Sequence, residues 1–185
     1  MGLRPGAETA IHQCLALQPE ERCLIVTDDD RRAIGEALYA VASEVTDEAV
    51  LLTYPPGDQH GEEPPGPVAG ALAETDTFLA PTSKSISHTR ARSEATDAGV
   101  RGATLPGITE AVFEQGLEAD YDRIRETSER VHEAVAGAEA IRITAPAGTD
   151  ITVEPGDREW RLDTGSVSEP GTFSNLPAGE VFVSP

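Results

Sequence analysis

The sequence predicts an α/β fold, with a mostly parallel sheet that has helices on both faces, followed by the β-rich start of a second domain. Short apolar runs of strand length alternate with segments of helical periodicity along the first 146 residues. That alternation is typical of parallel strands joined by right-handed crossovers. After Pro146 the helical period disappears and turn residues separate short β-like runs. We therefore predict a Rossmann-like domain over residues 1–146 and a β-rich segment over residues 147–185.

The first strand and the helices around it carry the clearest patterns. CLIVTD at 23–28 is a continuous apolar run, which is typical of a buried parallel strand. Asp28 to Asp30 can cap the helix that follows. The apolar residues of the two neighbouring helices recur at three- and four-residue intervals: Ala10, Ile11, Cys14, Leu15 and Leu17 before the strand, and Ile34, Leu38, Val41, Ala42 and Val45 after it.

The remaining elements follow in alternation. The proline-rich stretch PPGDQHGEEPPGP, after the second strand, can only be a loop. The predicted strands are AVLLTY at 49–54, DTFLAP at 76–81, the start of VRGATLPGIT at 100–109 and AEAIRITAP at 138–146. The predicted helices are PVAGALAET at 67–75, ARSEATDA at 91–98 with Gly99 as its C-cap, and a long helix over about 120–136.

The last forty residues have the sequence pattern of antiparallel β structure. ITVEP at 151–155 and REWRLD at 158–163 are separated by a Gly-Asp pair, which predicts a hairpin. The final stretch NLPAGEVFVSP combines a turn-rich start with a strand-like VFV run.

The charge balance is extreme. The chain has 33 acidic against 14 basic residues, a formal net charge of −19, and only one lysine, Lys84. Such a field repels phosphate backbones and anionic lipid, so we expect neither nucleic acid nor a membrane as a partner. Acidic excess with almost no lysine is typical of adaptation to high salt, and most of the acids are then solvated surface.

The termini and cysteines favour a cytoplasmic protein. The N-terminal residues lack the continuous apolar core of a signal peptide, and no apolar run is long enough for a membrane span. Cys14 and Cys23 are too few for a disulfide framework and lack metal-finger spacing. We expect both thiols to be reduced and partly buried.

The common nucleotide-binding and hydrolase motifs are absent, including GxGxxG, GxxxxGK[ST], HExxH, CxxC and GxSxG. The best candidate binding segment is TSKSISHTRAR at 82–92, which follows a strand end, where open α/β sheets bind ligands. Lys84, His88 and Arg92 can bind an anion there. The alternative, which we favour, is a capped helix whose cations offset the acidic surface.

Three segments in order and spacing carry a family resemblance: SISHTRARSEATDAGVRGATLPGITEAV, GTDITV and NLPAGEVFVSP. They resemble the thermophilic metallo-aminopeptidase family, of the aminopeptidase T and leucyl aminopeptidase-like type. Relatives of that family include an iron-dependent dioxygenase that opens dihydroxypyridine rings. The resemblance extends over nearly the whole chain, and its most specific part is the closing N-L-P-x-G-E-V-F.

The resemblance implies a metal-dependent hydrolase that removes N-terminal residues from peptides, with a pair of divalent ions such as zinc or cobalt. Glu180 matches the acid that ligates those metals, and paired metals polarise a carbonyl and activate water. A catalytic metal needs about three protein ligands, and the family's others lie downstream of this motif. NLPAGEVFVSP is therefore expected to be the first ligand motif of a truncated catalytic domain, which leaves the 185-residue chain inactive by itself.

Other interpretations stay open. Within the isolated chain Glu180 can be an ordinary acid in an exposed turn. Gly179 stands where the aminopeptidases usually carry a second acid, whereas the dioxygenase-like members have glycine, which weakens the assignment to peptide hydrolysis. In a relative of the ring-opening dioxygenase, one iron is held by downstream His and Asp residues, and Glu180 need not be a ligand. A third interpretation is a non-catalytic α/β module that binds a small anion near Lys84, His88 and Arg92. If the protein is an aminopeptidase or a dioxygenase, we expect a peptide or other small-molecule substrate and a homodimer.

The composition gives a first testable prediction. At about 1 M salt the Debye length falls to roughly 3 Å, so repulsion among surface carboxylates is screened. We expect the helical circular dichroism signal to weaken in dilute buffer and to recover in molar salt. An unchanged spectrum across that range would contradict the interpretation of salt adaptation.

Overall fold

A five-stranded parallel sheet forms the centre of the structure, a computed structural model that describes residues 2–183. Its strand order is β2-β1-β3-β4-β8. These strands span Cys23–Asp28 (β1), Ala49–Tyr54 (β2), Thr77–Ala80 (β3), Arg101–Thr104 (β4) and Phe173–Asn175 (β8). Two antiparallel pairs lie outside this sheet: Ile141–Thr144 (β5) with Asp150–Val153 (β6), and Arg161–Asp163 (β7) with Glu180–Phe182 (β9).

Six α-helices accompany the strands in the described part of the chain. They span Arg4–Glu8 (α1), Arg32–Val45 (α2), Gly66–Ala73 (α3), Arg90–Asp97 (α4), Glu110–Gly116 (α5) and Tyr121–Val135 (α6). α1 continues into a π-helical turn at Thr9–Cys14, and a 3-10 turn at Asp29–Arg31 leads into α2. Side chains of Thr89, Thr109 and Asp120 cap α4, α5 and α6.

The sheet is covered on both faces, as predicted, because successive residues of its buried strands point to opposite sides. In β1, Cys23 and Ile25 belong to a core with α1, α2 and α5. Leu24 and Val26 belong to a second core with α3 and α4. The predicted fold class is confirmed. No helix among residues 2–183 is long and apolar enough to cross a membrane.

Two glycines allow close approach at this sheet. A Cβ on Gly102 in β4 would overlap the carbonyl oxygen of Phe78 in the neighbouring β3. A Cβ on Gly35 in α2 would lie 2.7 Å from Cγ2 of Thr27 in β1. Neither position has room for a larger residue unless its neighbours move, so Gly102 allows β4 to approach β3 and Gly35 allows α2 to approach β1.

The strand pairing of the C-terminal segment differs from the prediction. The expected hairpin between 151–155 and 158–163 is wrong, because β6 pairs with β5 while β7 pairs with β9. The strand predicted at 138–146 does not join the parallel sheet, since β5 pairs only with β6 within the described residues. Instead β8 extends the sheet beside β4. The division at Pro146 and the homodimer stay predictions.

A buried arginine joins distant parts of the chain. Arg101, in β4, is 4% exposed, and its guanidinium donates to both carboxylate oxygens of Glu21 at 2.8 and 2.6 Å. The same guanidinium donates to the carbonyl oxygens of Leu15 and Val167. The backbone N–H of Val167 in turn donates to the Cys14 carbonyl at 2.8 Å. One side chain therefore links the N-terminal helix, the approach to β1, β4 and the C-terminal segment.

Replacement of this arginine tests its role. We expect Arg101→Met to lower the free energy of unfolding by about 3–5 kcal/mol, because it leaves the Glu21 charge and two carbonyls without their donor. Urea unfolding at constant salt measures the change. Arg161→Met, which removes an exposed cation from β7, is the matched control and should change stability by less than about 0.5 kcal/mol. Equal stability of the two variants would contradict the assignment.

Candidate functional site

The carboxyl edge of the parallel sheet has a switch point between β1 and β3. The chain leaves β1 for β2 on one side and then crosses to β3 on the other side. Open α/β sheets bind ligands in the crevice outside the strand ends at such a point. Asp28 ends β1, and the segment from Pro81 to Lys84 follows β3.

Asp28 connects the two sides of this crevice. Its side chain is 1% exposed, and Oδ2 accepts hydrogen bonds from the backbone N–H of Ser83 at 2.5 Å and from the Ser83 hydroxyl at 2.6 Å. The Thr27 hydroxyl donates to the Pro81 carbonyl at 3.0 Å. The loop after β3 is thus held against the end of β1.

The other carboxylate oxygen of Asp28 is unusual. Oδ1 is buried and has no hydrogen-bond partner in the described chain, although buried polar atoms are nearly always paired. The predicted helix cap is wrong, because the Asp28 side chain makes no cap hydrogen bond and Asp29 pairs with Arg32 instead. In the sequence, the signal that could have indicated this site is an acidic residue at the last position of an apolar strand.

Tyr54 lies beside Asp28 as its register partner in β2. Burial, together with the negative charges of Asp28 and Glu62, raises the pKa of Tyr54 to about 12. Its hydroxyl therefore keeps its proton at neutral pH and can donate a hydrogen bond.

The proline-rich loop after β2 folds over this edge and is fastened to the loop after β3. The backbone N–H of Gly61 donates to the Ser85 carbonyl at 2.8 Å, and the backbone N–H of Ser85 donates to Nδ1 of His60 at 3.1 Å. Within the loop, Glu62 Oε2 accepts from the backbone N–H of Asp58 at 2.7 Å. The loop therefore has a defined position relative to the switch point.

Glu63 fastens the far end of the loop to α4. Its two carboxylate oxygens accept from the backbone N–H groups of Arg90 at 2.5 Å and Ala91 at 3.1 Å. These hydrogen bonds hold the pKa of Glu63 below its ordinary value. Glu63 acts here as a second cap of α4 beside Thr89.

A cavity of about 250 Å³ lies between the two loops. Its apolar walls come from four prolines, the Tyr54 ring and Ile86, and its polar groups include Gln59, Glu62 and Lys84. The prolines are Pro55, Pro56, Pro64 and Pro65. For brevity we call this space the loop cavity.

A chain of hydroxyl and amide groups crosses the sheet edge beyond the switch point. The Ser87 hydroxyl lies 2.7 Å from the Thr104 hydroxyl, and both donate to Oδ1 of Asn175, at 2.9 and 2.6 Å. The Ser85 hydroxyl donates to Ser87 at 2.9 Å. These contacts join the ends of β4 and β8 to the loop after β3.

The three cationic residues predicted to bind an anion take different positions. Lys84 lines the loop cavity. Arg92 points inward, with Nε donating to the Ser87 carbonyl at 2.8 Å and its guanidinium 4.2 Å from the centre of the Phe173 ring. His88 is exposed. The three-residue anion site stays a prediction.

Glu180, the predicted metal ligand, opens β9 as the register partner of Asp163 in β7. It is exposed, and its side chain has no hydrogen-bond partner among residues 2–183. Within those residues no group of three His, Cys, Asp or Glu side chains could hold a metal ion. The described chain therefore does not form a metal site by itself.

Comparisons with known proteins bear on the family. A family model described as NicX, 2,5-dihydroxypyridine 5,6-dioxygenase, matches residues 8–185. A search of curated proteins gives no match. The solved structure of 2,5-dihydroxypyridine dioxygenase from Pseudomonas putida KT2440 is similar, with a TM-score of 0.72 at 15% identity, over 99% of this chain and 55% of that chain.

The family match corrects the functional assignment made from the sequence. Wild-type AmpT from Thermus thermophilus matches with a TM-score of 0.55 at 16% identity, over 99% of this chain and 61% of that chain. At this identity the likeness shows the fold alone. The assignment to the aminopeptidase family, and with it the description as a peptidase or hydrolase, is wrong, because the matching family model is that of a dioxygenase. The comparisons give no support for zinc or cobalt.

The pairing of Asp28 with Tyr54 generates a prediction. Because the Asp28 charge disfavours the phenolate, Asp28→Asn should lower the Tyr54 pKa from about 12 toward its ordinary value, while burial still keeps it raised. Absorbance at 295 nm, followed against pH in the wild type and in Asp28→Asn, measures the shift. Tyr54→Phe identifies which titration step belongs to Tyr54. An unchanged pKa in Asp28→Asn would show that the two groups do not interact.

Proposed function

This chain belongs to the NicX family, and from that premise we propose that it takes part in the oxygen-dependent opening of a hydroxylated pyridine ring. The observation that carries the proposal is the match of the family model over residues 8–185, nearly the whole chain. The chain spans 55% of the length of the similar dioxygenase structure. The substrate class and the reaction of the whole protein are accordingly parts of the proposal.

A ring-opening dioxygenase of this kind uses iron, which supplies oxygen activation when bound. Non-haem iron oxygenases commonly hold the metal with two histidines and one carboxylate. Since the described residues contain no group of three ligands, they do not fit an iron site on their own. We assign Glu180 as one carboxylate of such a site and assign no chemical step to the metal.

The surroundings of Glu180 support this role. The neighbouring carboxylate of Asp163 is engaged, because its Oδ1 accepts from the Ser174 hydroxyl at 2.8 Å and from the Gly165 backbone N–H at 3.0 Å. Glu180 has no such partner within the described residues. Of the two paired carboxylates, Glu180 is therefore the one available to bind a ligand.

Helix α6 fixes the turn that precedes Glu180. The Tyr121 hydroxyl accepts from the Ala178 backbone N–H at 3.2 Å. Gly179 has φ 131, and a Cβ there would lie 3.0 Å from Cγ2 of Ile124. Glycine at 179 thus lets the turn pack against α6, and its presence has a structural reason independent of metal chemistry.

The proposal is tested on the protein isolated from its native cells, in the length that those cells produce. With Fe²⁺ present we expect oxygen uptake on addition of 2,5-dihydroxypyridine and no release of amino acids from peptides. Peptide cleavage, or no oxygen uptake with any hydroxylated pyridine, would contradict the proposed function.

In the same protein, Glu180→Gln should weaken iron binding by at least about 10-fold, the lower end of the losses seen even for residues that support metal ligands. Oxygen uptake should fall with it, while circular dichroism stays unchanged. Glu154→Gln, which alters an exposed acid of the same segment, serves as the control. Iron content equal in both variants would exclude Glu180 as a ligand without excluding the reaction.

A further inference from the structure

The loop cavity contains the only lysine of the chain, and its charge is not used elsewhere. Lys84 lines the cavity, and its ammonium group has no ion pair or hydrogen bond within residues 2–183. Lys84 is partly buried, unlike the exposed Arg123, Arg130 and Arg161, which also lack an ion pair within residues 2–183. Other cations that do pair include Arg4, Arg22 and Arg142, each within 2.8 Å of a carboxylate.

The two acids of the cavity lining, Glu62 and Glu63, accept hydrogen bonds from backbone N–H groups. Glu62 Oε2 accepts from the backbone N–H groups of Asp58 and Gln59 at 2.7 and 3.4 Å. Both oxygens of Glu63 accept from backbone N–H groups at the start of α4. Such contacts spread part of each negative charge over the backbone dipoles. Lys84 is thus the one charged group of the cavity lining without a partner in the described chain.

A second polar group faces the same space. Tyr54 lines the cavity, and no hydrogen bond to its hydroxyl is found within the described residues. Its raised pKa keeps it in the donor form. The residues that line the cavity therefore include an ammonium group and a phenolic O–H. The two oxygens of a carboxylate can accept hydrogen bonds from these two donors.

Apart from Gln59, the rest of the lining is apolar, and the loop that carries it is held in place. Four prolines, Ile86 and the face of the Tyr54 ring surround the polar groups. The hydrogen bonds from Gly61 to Ser85 and from Ser85 to His60 fasten the loop to the segment that carries Lys84. Binding therefore does not have to order the loop, which reduces its entropic cost.

We propose that the loop cavity binds a small planar carboxylate, with its carboxylate group between Lys84 and Tyr54 and its flat body between the proline pairs. A volume of about 250 Å³ lies just below the roughly 300–1,000 Å³ of drug-sized sites, so the ligand has the size of a single ring with few substituents. This site lies at the end of β2, whereas Glu180 lies on β9. The proposal therefore does not depend on the proposed enzyme activity.

The single lysine makes the test specific. Reductive methylation with ¹³C-formaldehyde labels only Lys84 and the N-terminal amine, and it keeps the positive charge of both. The spectrum of Lys84→Arg, which lacks the labelled lysine, identifies which of the two signals belongs to Lys84. Benzoate is the probe and benzamide, of the same shape without the charge, is its control, both titrated at constant ionic strength.

We expect benzoate, and not benzamide, to shift the Lys84 signal in a saturable way. By calorimetry on unlabelled protein, Lys84→Met should weaken benzoate binding about 10-fold or more, the loss of one charge-assisted hydrogen bond. Tyr54→Phe should weaken it less, Lys84→Arg should retain part of it, and Arg161→Met should leave it unchanged.

Three outcomes would overturn the proposal: no benzoate-dependent shift of the Lys84 signal, equal shifts with benzamide, or benzoate affinity in a folded Lys84→Met that stays within twofold of the wild type. The first two use the wild-type protein, so the test does not depend on whether a variant folds.

Discussion

The buried ion pair between Arg101 and Glu21 is the constraint on which the rest of this structure depends. An isolated charge in a protein interior is very unfavourable, so each partner requires the other. Arg101 also donates to the carbonyls of Leu15 and Val167, two segments more than 150 residues apart in sequence. The N-terminal helix, β4 and the C-terminal segment must therefore take one arrangement for all four acceptors to be satisfied.

That arrangement determines which side chains meet at the carboxyl edge of the sheet. With β4 fixed, β3 and β1 are set in register beside it, which brings Asp28 against the backbone of Ser83. The loop after β3 then carries Ser85 to the proline-rich loop and Lys84 to the cavity. A polar crevice thus arises from parallel strand register alone, without any of the familiar glycine-rich motifs.

Strands β1 and β3 could be predicted because burial on both faces demands apolar runs, which CLIVTD and TFLA display directly. The pairing of the C-terminal strands could not be predicted, since β7, β8 and β9 have three residues each and their partners lie far away in sequence. The Gly-Asp pair at 156–157 suggested a hairpin, yet the tertiary contacts of β7 with β9 override that local signal. The site at Asp28 was not predicted for a related reason, because an acidic residue just before a helix is usually its N-cap.

Residue type is a poor guide to function in a chain this acidic, and hydrogen-bond partners are a better one. Glu62, Glu63 and Asp163 have the chemistry of ligands, but each accepts hydrogen bonds that hold a loop or turn in place. Lys84 and Glu180 lack such partners in the described chain, so the fold gains little from their charges. Among the charged residues of the two proposed sites, these are the two for which a bound ligand can supply the missing partner.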